Sequence, residues 1–157
     1  MEKRLKDYLD KHNIKYNTHS HPAVFTVSES KKLKKDIPGL HTKSLFLKDD
    51  GENYYLVCMP GEKRLDIRSL QLRLNVKKIH FASPEELKAE LNITPGSVSI
   101  FTMIYSKSTK LILDEELWNA EIVTFHPNIN TATLELTHKN LKKFCDSLKK
   151  EKSVVSL

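Results

Sequence analysis

One α/β domain built on a mixed β-sheet is the fold class this sequence predicts, and three observations predict it. Helical and extended periodicities are interleaved irregularly, with hairpins as well as crossovers, which argues against a doubly wound parallel fold. Turn signals separate short apolar runs throughout, and no internal repeat, linker or low-complexity stretch divides the chain. At 157 residues, 39% hydrophobic and 29% charged, the chain has the size of one domain. A chain of this length buries roughly two-thirds of its unfolded surface in one core.

The elements follow from local signals. Leu5, Tyr8, Leu9 and His12 at helical spacing predict a short amphipathic helix over residues 2–12. TVSE (26–29) has the form of a capping box, with Thr26 accepting from the backbone and Glu29 bonding back, and starts a helix through KKLKK. Strands at about 41–48 and 53–59 flank the turn DDGE, a hairpin that Pro60-Gly61 ends. Ile67, Leu70 and Leu74 mark a helix over 66–74, and KKIHFA (77–82) a short strand. SPEE (83–86) is a second capping box, with Pro84 at the first helical position of a helix ending near Asn92. ITPGSV (93–98) reads as a loop, followed by strands near 99–105 and 110–113 and a short helix at DEELW. Strands near 121–125 and 131–136 are joined by HPNIN. Thr137 caps a last helix with Leu141, Phe144, Cys145 and Leu148 as its buried stripe, and residues from about 150 to 157 are expected to fray.

Composition narrows the function classes. No apolar run approaches the ~20 residues of a membrane span, and the charged N-terminus is not a secretory signal. Cys58 and Cys145 are isolated in apolar patterns, which predicts reduced core thiols in a cytoplasmic protein. The formal net charge of +6 comes largely from short runs, among them Lys31, Lys32, Lys34 and Lys35. A basic surface suits an anionic partner such as RNA, although solvated helix faces look the same in a sequence. No phosphate loop, dinucleotide fingerprint or nucleophile elbow is present. His19 and His21 can share a strand face, but no further ligand set stands at metal-binding spacing, so no metal and no cofactor are expected. His80 reads as a sheet histidine, whereas His126 ends a strand at the rigid HPNIN loop, where functional residues often sit.

GLHTKSLFL (39–47) places Lys43 on the same strand face as Leu45 and Leu47. An ammonium there costs desolvation unless it is paired, reaches water or serves a purpose.

HPAVFTVSES (21–30), GLHTKSLFL, PGEKRLD (60–66), FASPEEL (81–87), ITPGSVSIF (93–101), LDEEL (113–117) and FHPNINTATLEL (125–136) occur in an order and spacing that resembles the YbaK / prolyl-tRNA synthetase-associated domain family. Within it the chain is similar to the freestanding alanyl-tRNA(Pro) deacylases, over about His19 to Leu148. The resemblance implies one editing domain over residues 1–157, with a mixed, partly barrel-like sheet flanked by helices. It implies trans-editing, the hydrolysis of an amino acid smaller than proline from tRNA(Pro). The partners implied are mischarged tRNA(Pro) and, with it, prolyl-tRNA synthetase; other small aminoacyl esters, or a silent tRNA-binding role, are the alternatives.

On this resemblance the catalytic strand lysine falls on Lys43, the glycine loop on Gly96 to Ile100, and the loop histidine on His126. Lys43 can act as an ammonium that positions phosphate or ribose oxygens, or as a neutral base if its pKa falls by several units from ~10.4. Backbone N–H groups at Gly96 and Ser97 can hold an oxyanion or a water, with a water or the vicinal hydroxyl as nucleophile. His126 can orient substrate or water, or simply brace its turn. Phe25 and Val27 can shape a small amino-acid pocket or pack in the core. Ser44, Val98 and Asn130 complete the substrate-binding candidates. Relatives commonly carry asparagine where this chain has Ser44, and proline where it has Ile100. Both departures bear on amino-acid preference more than on the reaction.

Overall fold

The computed structural model describes residues 1–24 and 26–157, Val27 by its backbone alone. Each helix begins where a side chain can take up an otherwise unpaired backbone donor, or where an amphipathic stripe finds a core. Helix α1 (Lys3–Lys11) buries Leu5 and Leu9, and strand β1 (Asn17–Ser20) follows. The Thr26 hydroxyl accepts from Glu29 N–H at 3.1 Å and opens α2 (Val27–Asp36). Strands β2 (Leu40–Asp49) and β3 (Tyr54–Pro60) form the expected hairpin. Its turn is organised by the buried Asp49 carboxylate, which accepts from Gly51 N–H at 2.8 Å, Asn53 N–H at 2.9 Å and Tyr55 Oη at 2.7 Å. Burial alone would raise the Asp49 pKa, but these donors outweigh it and hold the carboxyl below its ordinary value.

Asp66 caps α3 (Ile67–Leu74), which leads to the short strand β4 (Ile79–Phe81). Helix α4 (Pro84–Leu91) has the full reciprocal capping box, Ser83 accepting from Glu86 N–H and Glu86 accepting from Ser83 N–H. Strand β5 (Lys110–Asp114), helix α5 (Glu115–Asn119), strands β6 (Ile122–Phe125) and β7 (Ala132–Thr137), helix α6 (His138–Ser147) and strand β8 (Lys152–Val155) complete the chain.

The strands lie in the order β1-β7-β6-β2-β3-β5-β8, with β4 also paired to β2. β2–β6, β3–β5 and β5–β8 are parallel and the other pairs antiparallel, so the sheet is mixed. It is not closed: β1 and β8 stand at opposite ends of the order. Its centre is covered on both faces. Leu56 and Cys58 of β3 and Leu111 and Leu113 of β5 point into the larger core with Leu5, Leu9, Phe101 and Phe144. Tyr55, Val57, Met59 and Ile112 point the other way, against Leu47, Leu70 and Ile79. This two-sided burial is why YYLVCMP is continuously apolar. Both cysteines are free and buried, and burial pushes each thiol up to about 12. Among the described residues no helix is long and apolar enough to cross a membrane.

Two sequence expectations are corrected. Residues Ile100–Tyr105 form a 3-10 helix, not a strand. Ser99 is the reason: its hydroxyl accepts from Phe101 N–H at 3.1 Å, and its carbonyl accepts from the Thr102 hydroxyl at 2.6 Å and from Thr102 N–H at 3.0 Å. These local bonds use the groups a ladder would need. The tail does not fray: β8 pairs in parallel with β5 from Leu111↔Lys152 to Asp114↔Val155. Val155 and Leu157 pack on the smaller core, and Leu157 N–H reaches the buried Asp114 carboxylate at 3.3 Å. Deleting residues 152–157 should therefore lower unfolding free energy by on the order of 2 kcal/mol, the scale of two partly buried aliphatic side chains. Urea denaturation of the truncated and full chains checks this; equal midpoints would contradict it.

Candidate functional site

Strand β2 shares one edge between two neighbours and leaves an interval between them. It pairs with β6 at Leu40↔Val123 and His41↔Thr124, and with β4 only from Leu47↔Phe81 onward. Among the described residues, no strand pairs with residues 42–46 on that edge. His41 C=O accepts from Gly61 N–H on the β3 side, whereas Phe46 C=O accepts from Ala82 N–H on the other. Strand alternation therefore aims the Ser44 N–H and C=O into the interval.

Two cavities meet there. The first, about 340 Å³, is lined about equally by polar and apolar surface, with His21, Ser30, Lys34, His41, Asn130 and Thr133 among its polar residues. The second, about 510 Å³, is more apolar, with Leu45, Phe46, Phe81, Ala82, Leu87 and Val98. Thr42, Lys43, Gly96 and His126 line both and form the wall between them. No aspartate or glutamate is among the described lining residues of either cavity.

That wall is assembled from three separate segments: β2 supplies Thr42 and Lys43, the glycine loop Gly96, and the loop after β6 His126. Lys43 is half-buried on β2 and, among the described residues, has neither an ion-pair partner nor a side-chain hydrogen bond. Its charge is thus free to meet a ligand oxygen. Gly96 lies at φ +89°, and a Cβ built there would meet nothing within 4 Å. Glycine is needed for its backbone conformation and not because the site is crowded. Ser97 N–H is engaged with Thr94 C=O at 3.3 Å, whereas Gly96 N–H has no partner among the described residues. His126 is half-buried just beyond β6; its Nδ1 is buried without a partner among the described residues. Burial lowers its pKa below the ordinary 6.5, against a smaller backbone contact with Val98 that raises it. A lowered pKa keeps the imidazole neutral at physiological pH, able to accept or donate one hydrogen bond.

A buried link holds the glycine loop to the histidine loop. Ser99 Oγ–H donates to Asn128 Oδ1 at 2.8 Å, and both residues are buried, Asn128 at 6% exposure. Asn128 adopts φ 62°, a left-handed position that asparagine tolerates well. Phe101, two residues past Ser99, packs edge-to-face on Phe125 and Phe144. The loops are thereby pinned to the larger core.

The other sequence candidates fall as follows. Ser44 and Val98 line the second cavity, and the Ser44 hydroxyl is 3.3 Å from Cys58 Sγ. Asn130 and Lys34 line the first cavity. Ser97 lines neither, and Lys31, Lys32 and Lys35 are exposed on α2 away from both. Phe25 and the Val27 side chain lie outside the described residues. His19 is taken by Glu135 at 2.8 Å, and His21 Nε2 is 2.9 Å from the Thr133 hydroxyl. Sequence reasoning missed Thr42, whose hydroxyl donates to Thr124 C=O at 2.6 Å and ties β2 to β6 where they part. It also missed Ser99, Asn128 and Phe81; exposure of an aromatic on an edge strand is not visible in a sequence.

Comparison with known proteins shows the family and the fold. Residues 21–144 match the aminoacyl-tRNA editing domain family. The prolyl-tRNA editing protein ProX of Acetoanaerobium sticklandii is 32% identical over 138 residues, covering 86% of this chain and 84% of that protein. The prolyl-tRNA synthetase associated domain-containing protein 1 of Danio rerio is 30% identical over 150 residues, covering 93% and 82%. A crystal structure provisionally assigned as a trans-editing enzyme for prolyl tRNA synthetase superposes with a TM-score of 0.76 at 20% identity, covering 100% of this chain and 98% of that one.

Two outcomes test the construction of the site. Ser99→Ala leaves Asn128 Oδ1 buried without its donor, which should cost about 1–3 kcal/mol in chemical denaturation; a loss under 0.5 kcal/mol would contradict the link. The His126 proton is bound more weakly in the folded chain than in the unfolded one. Stability should therefore fall as pH drops below about 6.5, until the folded pKa is also passed. His126→Gln should remove that component from the wild-type pH–stability curve; parallel curves would show that His126 does not contribute.

Proposed function

The chain belongs to the aminoacyl-tRNA editing domain family, and from that premise we propose that it is a trans-editing hydrolase for mischarged tRNA(Pro), alanyl-tRNA(Pro) foremost. The observation that carries this reading is the convergence of Lys43, Gly96 and His126 on one wall between two cavities that no described carboxylate lines. One cavity can take the aminoacyl group and the other the end of the tRNA, with the ester at the wall. The whole chain, residues 1–157, acts as one editing domain, and prolyl-tRNA synthetase is the enzyme whose errors it removes.

In this reading the Lys43 ammonium binds a ribose or phosphate oxygen and fixes the ester. A water, or the vicinal ribose hydroxyl, attacks the carbonyl carbon, and the oxyanion that forms is met by Gly96 N–H. The C–O bond to the ribose then breaks, the ribose oxygen takes up a proton, and the amino acid leaves. With water the free acid is released directly; attack by the vicinal hydroxyl requires a later hydrolysis. Neutral His126 orients the attacking group or the substrate through Nδ1. Exposed Lys31, Lys32 and Lys35 meet the tRNA backbone, with Lys34 nearer the site. A hydrophobic pocket separates substrates differing by one methylene by only ~1–3 kcal/mol. A synthetase therefore benefits from a second site that admits alanine and excludes proline.

Single-turnover deacylation of alanyl-, seryl-, cysteinyl- and prolyl-tRNA(Pro) tests the reading. The alanyl ester should be hydrolysed, without added metal, and the prolyl ester spared. Lys43→Ala should reduce the rate by about 100-fold or more with an unchanged or higher thermal midpoint, the scale of losing one transition-state contact. Lys43→Arg should rescue little, because a planar fork does not replace a compact ammonium. Rapid hydrolysis of the prolyl ester would remove the editing interpretation, and full activity in Lys43→Ala would remove the site.

A further inference from the structure

Phe81 stands apart from the other described phenylalanines. It is 63% exposed, whereas Phe46, Phe101, Phe125 and Phe144 are each at most 5% exposed. A single exposed apolar side chain is ordinary on a protein surface; what distinguishes Phe81 is that its ring lines the cavity that Lys43 also lines. Phe81 lies opposite Leu47 in the β2–β4 pairing, which places it on the sheet face shared by Lys43, Leu45 and Leu47. It lines the second cavity, whose floor runs from Lys43 past Leu45 to Phe81. Successive residues on one strand face are about 7 Å apart, so Phe81, opposite Leu47, stands two such steps, about 14 Å, along β2 from the Lys43 backbone, at the other end of the cavity that both residues line.

We propose that Phe81 is the stacking platform for the 3′-terminal adenine of the RNA, with the second cavity holding that nucleoside while the aminoacyl group occupies the first. The proposal rests on the editing reading above. The chemistry of the two cavities sets the assignment. A purine needs an apolar floor and a ring face; Leu45, Ala82, Pro84, Leu87 and Phe81 supply these in the second cavity. The first cavity is the more polar of the two, mixing hydroxyls, histidines and Lys34 with Val24, Leu33 and Ala132, and its phenylalanine, Phe125, is buried. The chain just before β4 carries the exposed Lys77 and Lys78. No described acidic side chain lines the cavity to repel a phosphate.

Binding of uncharged RNA decides the matter without requiring catalysis. The probes are an acceptor-stem hairpin ending in adenosine and the same hairpin with an abasic 3′-terminal nucleotide. The full-length wild type should bind the adenosine end about 10-fold more tightly, the scale of one base–aromatic stack. Phe81→Ala and Phe81→Leu should reduce that preference to within twofold, and Phe81→Trp should keep it. All three variants should retain the wild-type thermal midpoint, because the side chain is exposed. No preference in the wild type, or a preference unchanged in Phe81→Ala, would overturn the platform. A loss in Phe81→Ala that is equal for both hairpins would assign the ring to another contact, and would also overturn it. Deacylation of mischarged tRNA by the wild type is read separately, so failure of the editing reading and failure of the platform are distinguishable.

Discussion

The backbone of β2 has two edges to satisfy, and the way it does so governs the rest of the molecule. One edge is taken by β3 from Thr42 to Lys48. The other is given first to β6 and then to β4, and the two partners do not meet. A buried strand cannot leave polar groups facing an apolar core. The interval must therefore open to solvent or ligand, and the chain brings loops to it instead of another strand. Lys43 is tolerated among leucines because it lies on this interval, where its ammonium reaches a cavity.

Electrostatics follow the same division. The chain carries 20 acidic residues, yet none of those described lines either cavity. The buried and half-buried carboxylates are occupied elsewhere. Asp49 closes the hairpin, and Glu90 accepts from Ser108 N–H and the Thr109 hydroxyl. Glu86 is bonded to Lys48, first among the causes that lower its pKa to about 2. Asp114 holds Lys63 at 2.9 Å and Glu135 faces His19. With these charges committed to structure, the site keeps an uncompensated positive character, which suits a polyanion whose ester must be held in place.

Rigidity at the site is also borrowed from the core. The glycine loop and the histidine loop are far apart in sequence but joined by Ser99 and Asn128, and Phe101 anchors the first of them in an aromatic cluster. Gly96 can therefore hold a positive φ in open space, since the loop is anchored three residues on, where Ser99, Ile100 and Phe101 are buried. A donor kept in place before the ligand arrives stabilises a developing charge without reorganising.

The sequence by itself determined the features whose partners lie within a few residues. The caps at Thr26, Asp66, Ser83 and Thr137 each bond three positions onward, and the β2–β3 hairpin closes through its own turn. Resemblance to a family named Lys43, Gly96 and His126, but not what holds them. Where local bonds competed with an apolar pattern, as at Ser99 to Tyr105, the pattern misled. Where pairing was remote, as for β8 on β5, nothing in KSVV signalled it. Only the tertiary structure decided that β6 and β4 part along β2, that Ser99 reaches Asn128, and that Phe81 stays exposed at a cavity that Lys43 also lines. These outcomes depend on contacts between residues tens of positions apart, which composition and period do not encode.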